Sequence, residues 1–408
     1  MYKWTILLAL CVIFVLYTID RALLGLLAIP IQAETGISDV RFGILGSAIF
    51  WAYALAAPFA GIAGDRFNRA RLIGCAVIGW SLMVLVAGFS DGFWSLLLLA
   101  SFAVVIPQTL YSPSANAYIA SLHVDTRTVA MSCHQAAFYT GWFVSGMTVA
   151  GIVAWFGSWR SVFFVLGGFG IVVGALFLVM TGGSTAAQQR GGVVVKPLFK
   201  DSLRAFWGCK SALLASVGYV AVVFVGCGYC TWGPKFIGGK FSISAAESGV
   251  GVMFWHYASA FVSILVAGSM TDRYVKRFPR FRLVLAMFAF ALAIPCLLLF
   301  AFGSTVTVAL AGSALLGSMF GILGANQFTN LFDVIPSAYR SGAIGFLNVA
   351  AGLIGSLSSV FLGMLSQRYG QGGFEWGFAG MSLVLAIPIV CLAVSYLFTF
   401  NKERIVGE

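Results

Sequence analysis

Charge is what this chain lacks. Of its 408 residues only 9% are Asp, Glu, Lys or Arg, with 13 acids among them, and there are 3 histidines. A soluble domain carries about 25% charged residues, so a water-exposed globular protein is excluded. Metal-ligand clusters are missing, as are the glycine-rich loops that cradle dinucleotides or nucleotides. No cofactor is therefore expected, and nothing points to ATP as an energy source. The 8 cysteines are scattered singly through apolar runs and read as small buried hydrophobes, not as a disulfide framework. Cys227 and Cys230 have CxxC spacing without a second pair, so neither a metal nor a redox role is expected of them.

Apolar residues are what the chain has, at 60% hydrophobic and a mean hydropathy of +0.98. A helix needs about 20 apolar residues to cross a bilayer core of roughly 30 Å. Twelve such runs occur, near 5–30, 42–63, 72–90, 95–120, 128–153, 161–181, 211–232, 246–270, 283–303, 306–331, 342–365 and 377–399. The first resembles a signal peptide, with Lys3 ahead of an apolar core. It lacks a small-residue cleavage site and continues past a charged pair, so it is read as the first span. The connections are short except for 182–210, polar and Gly-rich at its start, basic and amphipathic at its end. That stretch reads as a cytoplasmic linker on the membrane surface. The expected fold is all-α: twelve transmembrane helices in two pseudo-symmetric six-helix bundles, residues 1–181 and 211–408.

The basic residues sort by side. With the N-terminus in the cytoplasm, 18 of 24 fall inside, leaving Arg41, Arg160, Lys235, Lys240 and Arg368 outside and Arg21 within a span. This follows the positive-inside rule and predicts two cytoplasmic termini. The net charge of +11 is thereby accounted for by topology, and nucleic-acid binding is dropped. Trp4, Trp94, Trp155, Trp159 and Trp232 fall near predicted span ends, where interfacial anchors belong.

Within the first span lies Tyr17-Thr18-Ile19-Asp20-Arg21. A charged side chain at the middle of such a helix costs at least ~2.5–3.5 kcal/mol on insertion scales. It is kept where it faces a cavity, a partner or a substrate. Neighbours on a helix point about 100° apart, so Asp20 and Arg21 need not bond each other. The pair reads as a substrate or coupling site; the competing reading is a structural ion pair that locks the helix to its neighbours.

An internal repeat follows. Gly61-x-x-x-Asp65-Arg66, with Arg69 in its basic tail, recurs as Gly268-x-x-x-Asp272-Arg273, 207 residues on, after the second and eighth spans. Duplicated halves of this kind place a substrate near the bilayer midplane. Glycine allows close helix approach, aspartate suits the positive end of a neighbouring helix, and arginine supplies bidentate partners. Gly61, Asp65, Arg66, Arg69, Gly268, Asp272 and Arg273 are thus expected to form a cytoplasmic gate. The plainer reading is that these loops only anchor topology.

With this repeat and its twelve spans, the chain resembles the major facilitator superfamily over its full length. The first half is similar to the spinster-like transporters at Asp20-Arg21, Tyr53, Pro58, the stretch 64–69, Trp80-Ser81-Leu82 and Phe93-Trp94. It also resembles the anion:cation symporters of sugar acids and organic anions, at Asp20-Arg21, Phe50 to Leu55, Trp159-Arg160 and Phe163. The resemblance implies that Arg21 contacts an anion. It departs in span four, where these families carry Gly-x-x-Glu-Ala and an arginine two turns earlier. Here Gln108 holds the glutamate position and Ser101 the arginine position. Glutamine can hydrogen-bond a substrate but cannot exchange a proton, so any proton coupling is expected to pass through Asp20 or His134.

Other polar groups lie at membrane depth. His134 and His256 read either as titrating groups or as hydrogen-bonded helix contacts. Asn326 and Asn330, four residues apart and flanking Gln327, form an amide patch on span ten, with Asn348 a weaker candidate. Tyr17, Tyr111, Tyr139, Trp142 and Tyr219 suit a cavity wall or ordinary packing. Gly25, Gly141, Gly146, Gly317, Gly321 and Gly324 suit close helix approach. The expected protein is a monomeric secondary transporter in a bacterial inner membrane, with protons as possible co-substrate. Its small organic anion is expected to meet Arg21, Gln108, Tyr111, Tyr139, Asn326 and Asn330. An amphiphilic lysolipid or sphingoid phosphate, or a drug-like export substrate, is the alternative cargo. An intramembrane enzyme or a non-transporting sensor is the alternative class.

Overall fold

The computed structural model describes residues 2–182, 199–275, 277–336 and 339–405, leaving outside it the side chains of Pro58, Phe59, Ile62, Asp65, Arg66, Thr128, Phe199, Thr329 and Ser341 and the surroundings of Gly61 and Gly64. The expected linker start, 183–198, falls outside the described residues. No strand occurs among the described residues, and twelve helices are long and apolar enough to cross a membrane. They are Tyr2–Leu26, Asp39–Ala57, Arg69–Ala87, Phe93–Leu122, Val129–Phe156, Trp159–Thr181, Lys210–Phe241, Ala245–Tyr274, Phe281–Phe302, Val306–Phe332, Gly342–Tyr369 and Gln371–Glu403. The protein is an all-α, multi-pass integral membrane protein.

Local chemistry sets the helix ends. Ser38, Asn68, Ser158 and Thr305 each accept a backbone N–H of the turn that follows, satisfying donors the helix leaves unpaired. Span five stops at Gly157, whose φ of 73° a side chain would strain, and span six starts two residues later.

The chain divides into two compact units. One comprises Met1–Arg190 with Cys230–Phe254, the other Gly191–Tyr229 with Trp255–Glu408. In the first, span three packs along span six and span one along span five; in the second, span nine packs along spans ten and twelve. Trp80, Tyr111, Phe42, Phe163 and Phe177 fill the first interior, and Tyr229, Phe300, Phe374 and Phe378 fill the second.

Several helices differ from the hydropathy reading. Span seven runs to Phe241, beyond the expected end at 232, so Lys235 and Lys240 are helical residues, not loop residues. A hydropathy window stops at a lysine, but the helix continues because Lys235 is partnered by Asp39 and by Gln32. Trp232 is consequently fully buried, with its ring 5.6 Å from that of Phe42, and Trp159 is buried as well. Neither is an interfacial anchor. Trp4, Trp94 and Trp155 are exposed, as anchors should be.

Glycines mark close approaches inside each unit. A Cβ on Gly25, Gly141, Gly146, Gly317 or Gly321 would fall within 3 Å of a neighbouring helix. At Gly141 it would stand 1.7 Å from Thr18 Oγ1 and 2.7 Å from the Val15 carbonyl. Gly141→Val should therefore force span five off span one. We expect a loss of about 2–3 kcal/mol, the scale of overpacking, read as an earlier thermal unfolding transition in detergent. An unchanged transition would mean that this contact does not hold the unit together.

Candidate functional site

The site grows from one turn of span one. Thr18 turns to span five, its hydroxyl bonding back to the carbonyls of Phe14 and Val15. Two residues on, Asp20 faces span three, where the Trp80 indole N–H donates to Oδ2 at 3.2 Å. Its other oxygen, Oδ1, is buried and has no hydrogen-bond partner. Arg21 turns elsewhere again. Its guanidinium carbon lies 5.1 Å from the ring centroid of Tyr17 and 5.1 Å from that of Tyr53. Such cation–π contacts hold a cation without consuming its N–H donors. Nε and Nη2 are buried without a hydrogen-bond partner, although the residue as a whole is only half-buried.

Neither Asp20 nor Arg21 makes an ion pair among the described residues. Among the described residues, then, this turn forms no ion pair. It holds a carboxylate on an indole and a guanidinium between two phenols, each with unused hydrogen-bonding capacity.

Around them is an aromatic wall. Tyr17, Trp80 and Tyr111 meet with ring centroids 5.8–6.1 Å apart. Tyr111 is fully buried, its hydroxyl 2.7 Å from the Leu10 carbonyl and 2.9 Å from His134 Nε2. A phenol has one hydrogen, and the carbonyl can only accept. His134 Nε2 therefore carries the proton and donates to Tyr111. The imidazole also stacks on Phe14 at 4.3 Å, so it bridges spans one, four and five. Gln108, one turn before Tyr111, is 1% exposed, and neither its Oε1 nor its Nε2 has a hydrogen-bond partner. Ser101, at the family's arginine position, donates to the Leu45 carbonyl at 3.1 Å and does the work of helix contact. Tyr139 is half-buried, edge-on to Phe138.

The second unit holds the amides. Asn326 is buried and donates to the Ile322 carbonyl at 3.3 Å. Asn330 Oδ1 is buried without a hydrogen-bond partner, and the residue lines a cleft with Tyr219, Phe290, Leu323 and Gln327. Tyr219 donates to Asn348 Oδ1 at 2.6 Å. His256 is buried against Tyr229, with ring centroids 4.5 Å apart.

Of the gate residues, the surroundings of Gly61 and the side chains of Asp65 and Arg66 fall outside what the structure describes. Asp272 and Arg273 are exposed, and Arg69 is half-buried; none makes an ion pair among the described residues. A Cβ on Gly268 would meet nothing within 4 Å, so close packing does not require glycine there in this structure.

Charged contacts that sequence reasoning missed lie at span ends. Glu34 accepts from the Trp159 indole at 2.5 Å and pairs with Arg160, which also donates to the Ser90 carbonyl at 2.9 Å. The indole and the guanidinium hold the Glu34 carboxyl below its ordinary range. Lys235 pairs with Asp39, and Gln32 donates to that carboxylate at 2.7 Å. Arg282 grips both oxygens of Asp333, at 2.7 and 2.6 Å. Only the scarcity of acids in the sequence hinted that each would be engaged.

Twelve apolar spans in two compact units define a polytopic membrane protein, and the first unit holds a cation, Arg21, that makes no ion pair among the described residues. Residues 9–359 match the Major Facilitator Superfamily, and the chain belongs to that family. It is 32% identical to human protein spinster homolog 1 over 239 residues, 56% of this chain and 44% of that protein. The chain thus spans about half the length of that relative. It is 26% identical to the D-galactonate transporter of Escherichia coli O6:H1 over 426 aligned positions, 95% of this chain and 93% of that protein. The fold is also that of a bacterial homolog of the human lysosomal transporter Spinster, solved inward-facing and unoccupied. The TM-score is 0.88 at 22% identity, covering 100% of this chain and 99% of that one.

Proposed function

We propose that this protein is a secondary transporter, not an enzyme, which carries a small organic anion of sugar-acid type by alternating access. One observation carries the reading: Arg21 holds a guanidinium within the first span between two tyrosine rings, with Nε and Nη2 lacking an acceptor among the described residues. A carboxylate would accept charge-assisted hydrogen bonds from those two donors. Gln108, both of whose amide atoms lack a partner among the described residues, and Tyr139 are assigned to the rest of the cargo. Tyr111 supports the site through His134 and Leu10 instead, because its hydroxyl is already engaged. Asn326 and Asn330 remain the amide candidates within the second unit, where Asn330 Oδ1 is buried without a hydrogen-bond partner among the described residues.

Asp20 is assigned the coupling proton. It keeps one buried oxygen free, while His134 is held in a stacked, hydrogen-bonded bridge. Likeness to the D-galactonate transporter over nearly both whole chains supports the sugar-acid class. The reading includes six-helix halves at residues 1–181 and 211–408, and cytoplasmic termini in a bacterial inner membrane. It also includes gating by the repeated Gly61/Asp65/Arg66 and Gly268/Asp272/Arg273 motifs.

A second reading is favoured by the aromatic surround of Tyr17, Tyr53 and Trp80. It is an amphiphile whose anionic head meets Arg21 while its tail lies on the rings. A thermal-shift screen of the purified protein separates the two, using D-galactonate, D-gluconate, lactate, glucose 6-phosphate and lysophosphatidic acid. Stabilisation by the sugar acids, absent in Arg21→Ala, is the expected result. Stabilisation by the lysolipid alone would transfer the assignment to the amphiphile, and by none would remove the anion site.

A further inference from the structure

The helix Phe199–Gly208 stands outside the twelve spans, and the transport reading does not use it. Its two faces differ. Ser202 and Phe206, four residues apart, are buried against the start of span eleven. A Cβ on Gly342 would stand 2.4 Å from the Ser202 Cβ, and the Phe206 and Phe346 rings lie 5.5 Å apart. The other face carries Lys200, Arg204 and Trp207, spaced four and three residues apart and all exposed, Trp207 to 58%. That spacing puts the three side chains on one stripe. Neither cation makes an ion pair among the described residues.

The position of the helix limits what can meet this stripe. Only Cys209 separates it from Lys210, where span seven begins, and Glu403 accepts the backbone N–H groups of Lys210 and Ser211 at 3.2 and 2.7 Å. The helix is therefore tied to the first residues of a membrane-spanning helix, the end at which such a helix meets the headgroup region. An exposed indole beside unpaired cations at that level is the pattern of a helix lying in the interface.

We propose that this stripe binds the headgroup of an anionic phospholipid. Lys200 and Arg204 take the phosphate, and Trp207 seats at the boundary between headgroup and acyl chain. Because the buried face grips span eleven, the bound lipid bears directly on that span's first turn. There Arg340 ties its guanidinium to the carbonyls of Phe332 and Ile335, at 2.8 and 3.0 Å.

The test uses the full chain in nanodiscs of phosphatidylcholine with increasing phosphatidylglycerol, and native mass spectrometry to count retained lipids. The protein should retain phosphatidylglycerol selectively. The double substitution Lys200→Gln with Arg204→Gln should weaken that selectivity about thirtyfold, the worth of two basic residues at an anionic surface. Trp207→Phe should reduce quenching of the protein's fluorescence by bromine-labelled acyl chains. Size-exclusion profiles would establish that the variants remain folded. Equal phosphatidylglycerol retention by the folded double variant would overturn the proposal. So would its displacement by soluble glycerol 3-phosphate at comparable concentration, which would mark a free-anion site. The readout is independent of transport, so failure here leaves the reading of Arg21 untouched.

Discussion

Arg21→Ala is expected to abolish saturable sugar-acid uptake into proteoliposomes while leaving the protein folded. Two charge-assisted hydrogen bonds are worth about 1.5–3 kcal/mol each. Losing both corresponds to a fall of roughly two to four orders of magnitude in affinity. The expected tolerance of the fold has the same origin. Nε and Nη2 serve no acceptor among the described residues, so alanine leaves none of those groups newly unpaired and gives up the contacts with two rings. Such contacts amount to about 0.5–1 kcal/mol apiece at half-open sites. Arg21→Lys sharpens the test. Lysine keeps the charge but not the planar fork, so it should retain weak binding with lowered affinity. Full uptake by the alanine variant would remove Arg21 from the site, and collapse of the variant would make the guanidinium a structural element.

Asp20→Asn is expected to separate exchange from accumulation. Asparagine has the shape of the carboxyl group, and its side-chain oxygen can still accept the Trp80 indole N–H now bonded at 3.2 Å. The site should therefore persist, and counterflow of labelled substrate should continue at near-normal rate. What asparagine cannot do is load and release a proton. A pH gradient drives about tenfold accumulation per unit when one proton accompanies each substrate, since one unit is worth 1.36 kcal/mol. That accumulation should vanish. If gradient-driven accumulation survives in Asp20→Asn, the proton travels elsewhere, and His134→Gln becomes the next variant to measure. Gln108 cannot take the role, because an amide has no proton to exchange in the physiological range.

Where the reading from sequence was sound, it rested on properties of short stretches. A run of twenty apolar residues carries its own reason to cross a bilayer, and Asn68 or Ser158 caps whatever helix follows it. Where it failed, it lacked partners from distant positions. Lys235 looked like the end of span seven until Asp39, 196 residues earlier, was found to pair with it. Trp159 looked like an interfacial anchor until its indole was found on Glu34, 125 residues away. His134 reads more as a helix contact than as a titrating group from sequence, but the sequence does not name its partners, Tyr111 and Phe14.

By itself, then, the sequence determined that this is a twelve-span helical membrane protein with a duplicated motif and one acid–base pair inside its first span. Only the tertiary structure decided that Asp20 turns to an indole while Arg21 turns to two phenols and keeps donors free. The physical reason is rotational: residue spacing sets the angle between neighbouring side chains. Packing of small residues such as Gly141 against span one sets which neighbour each of them meets.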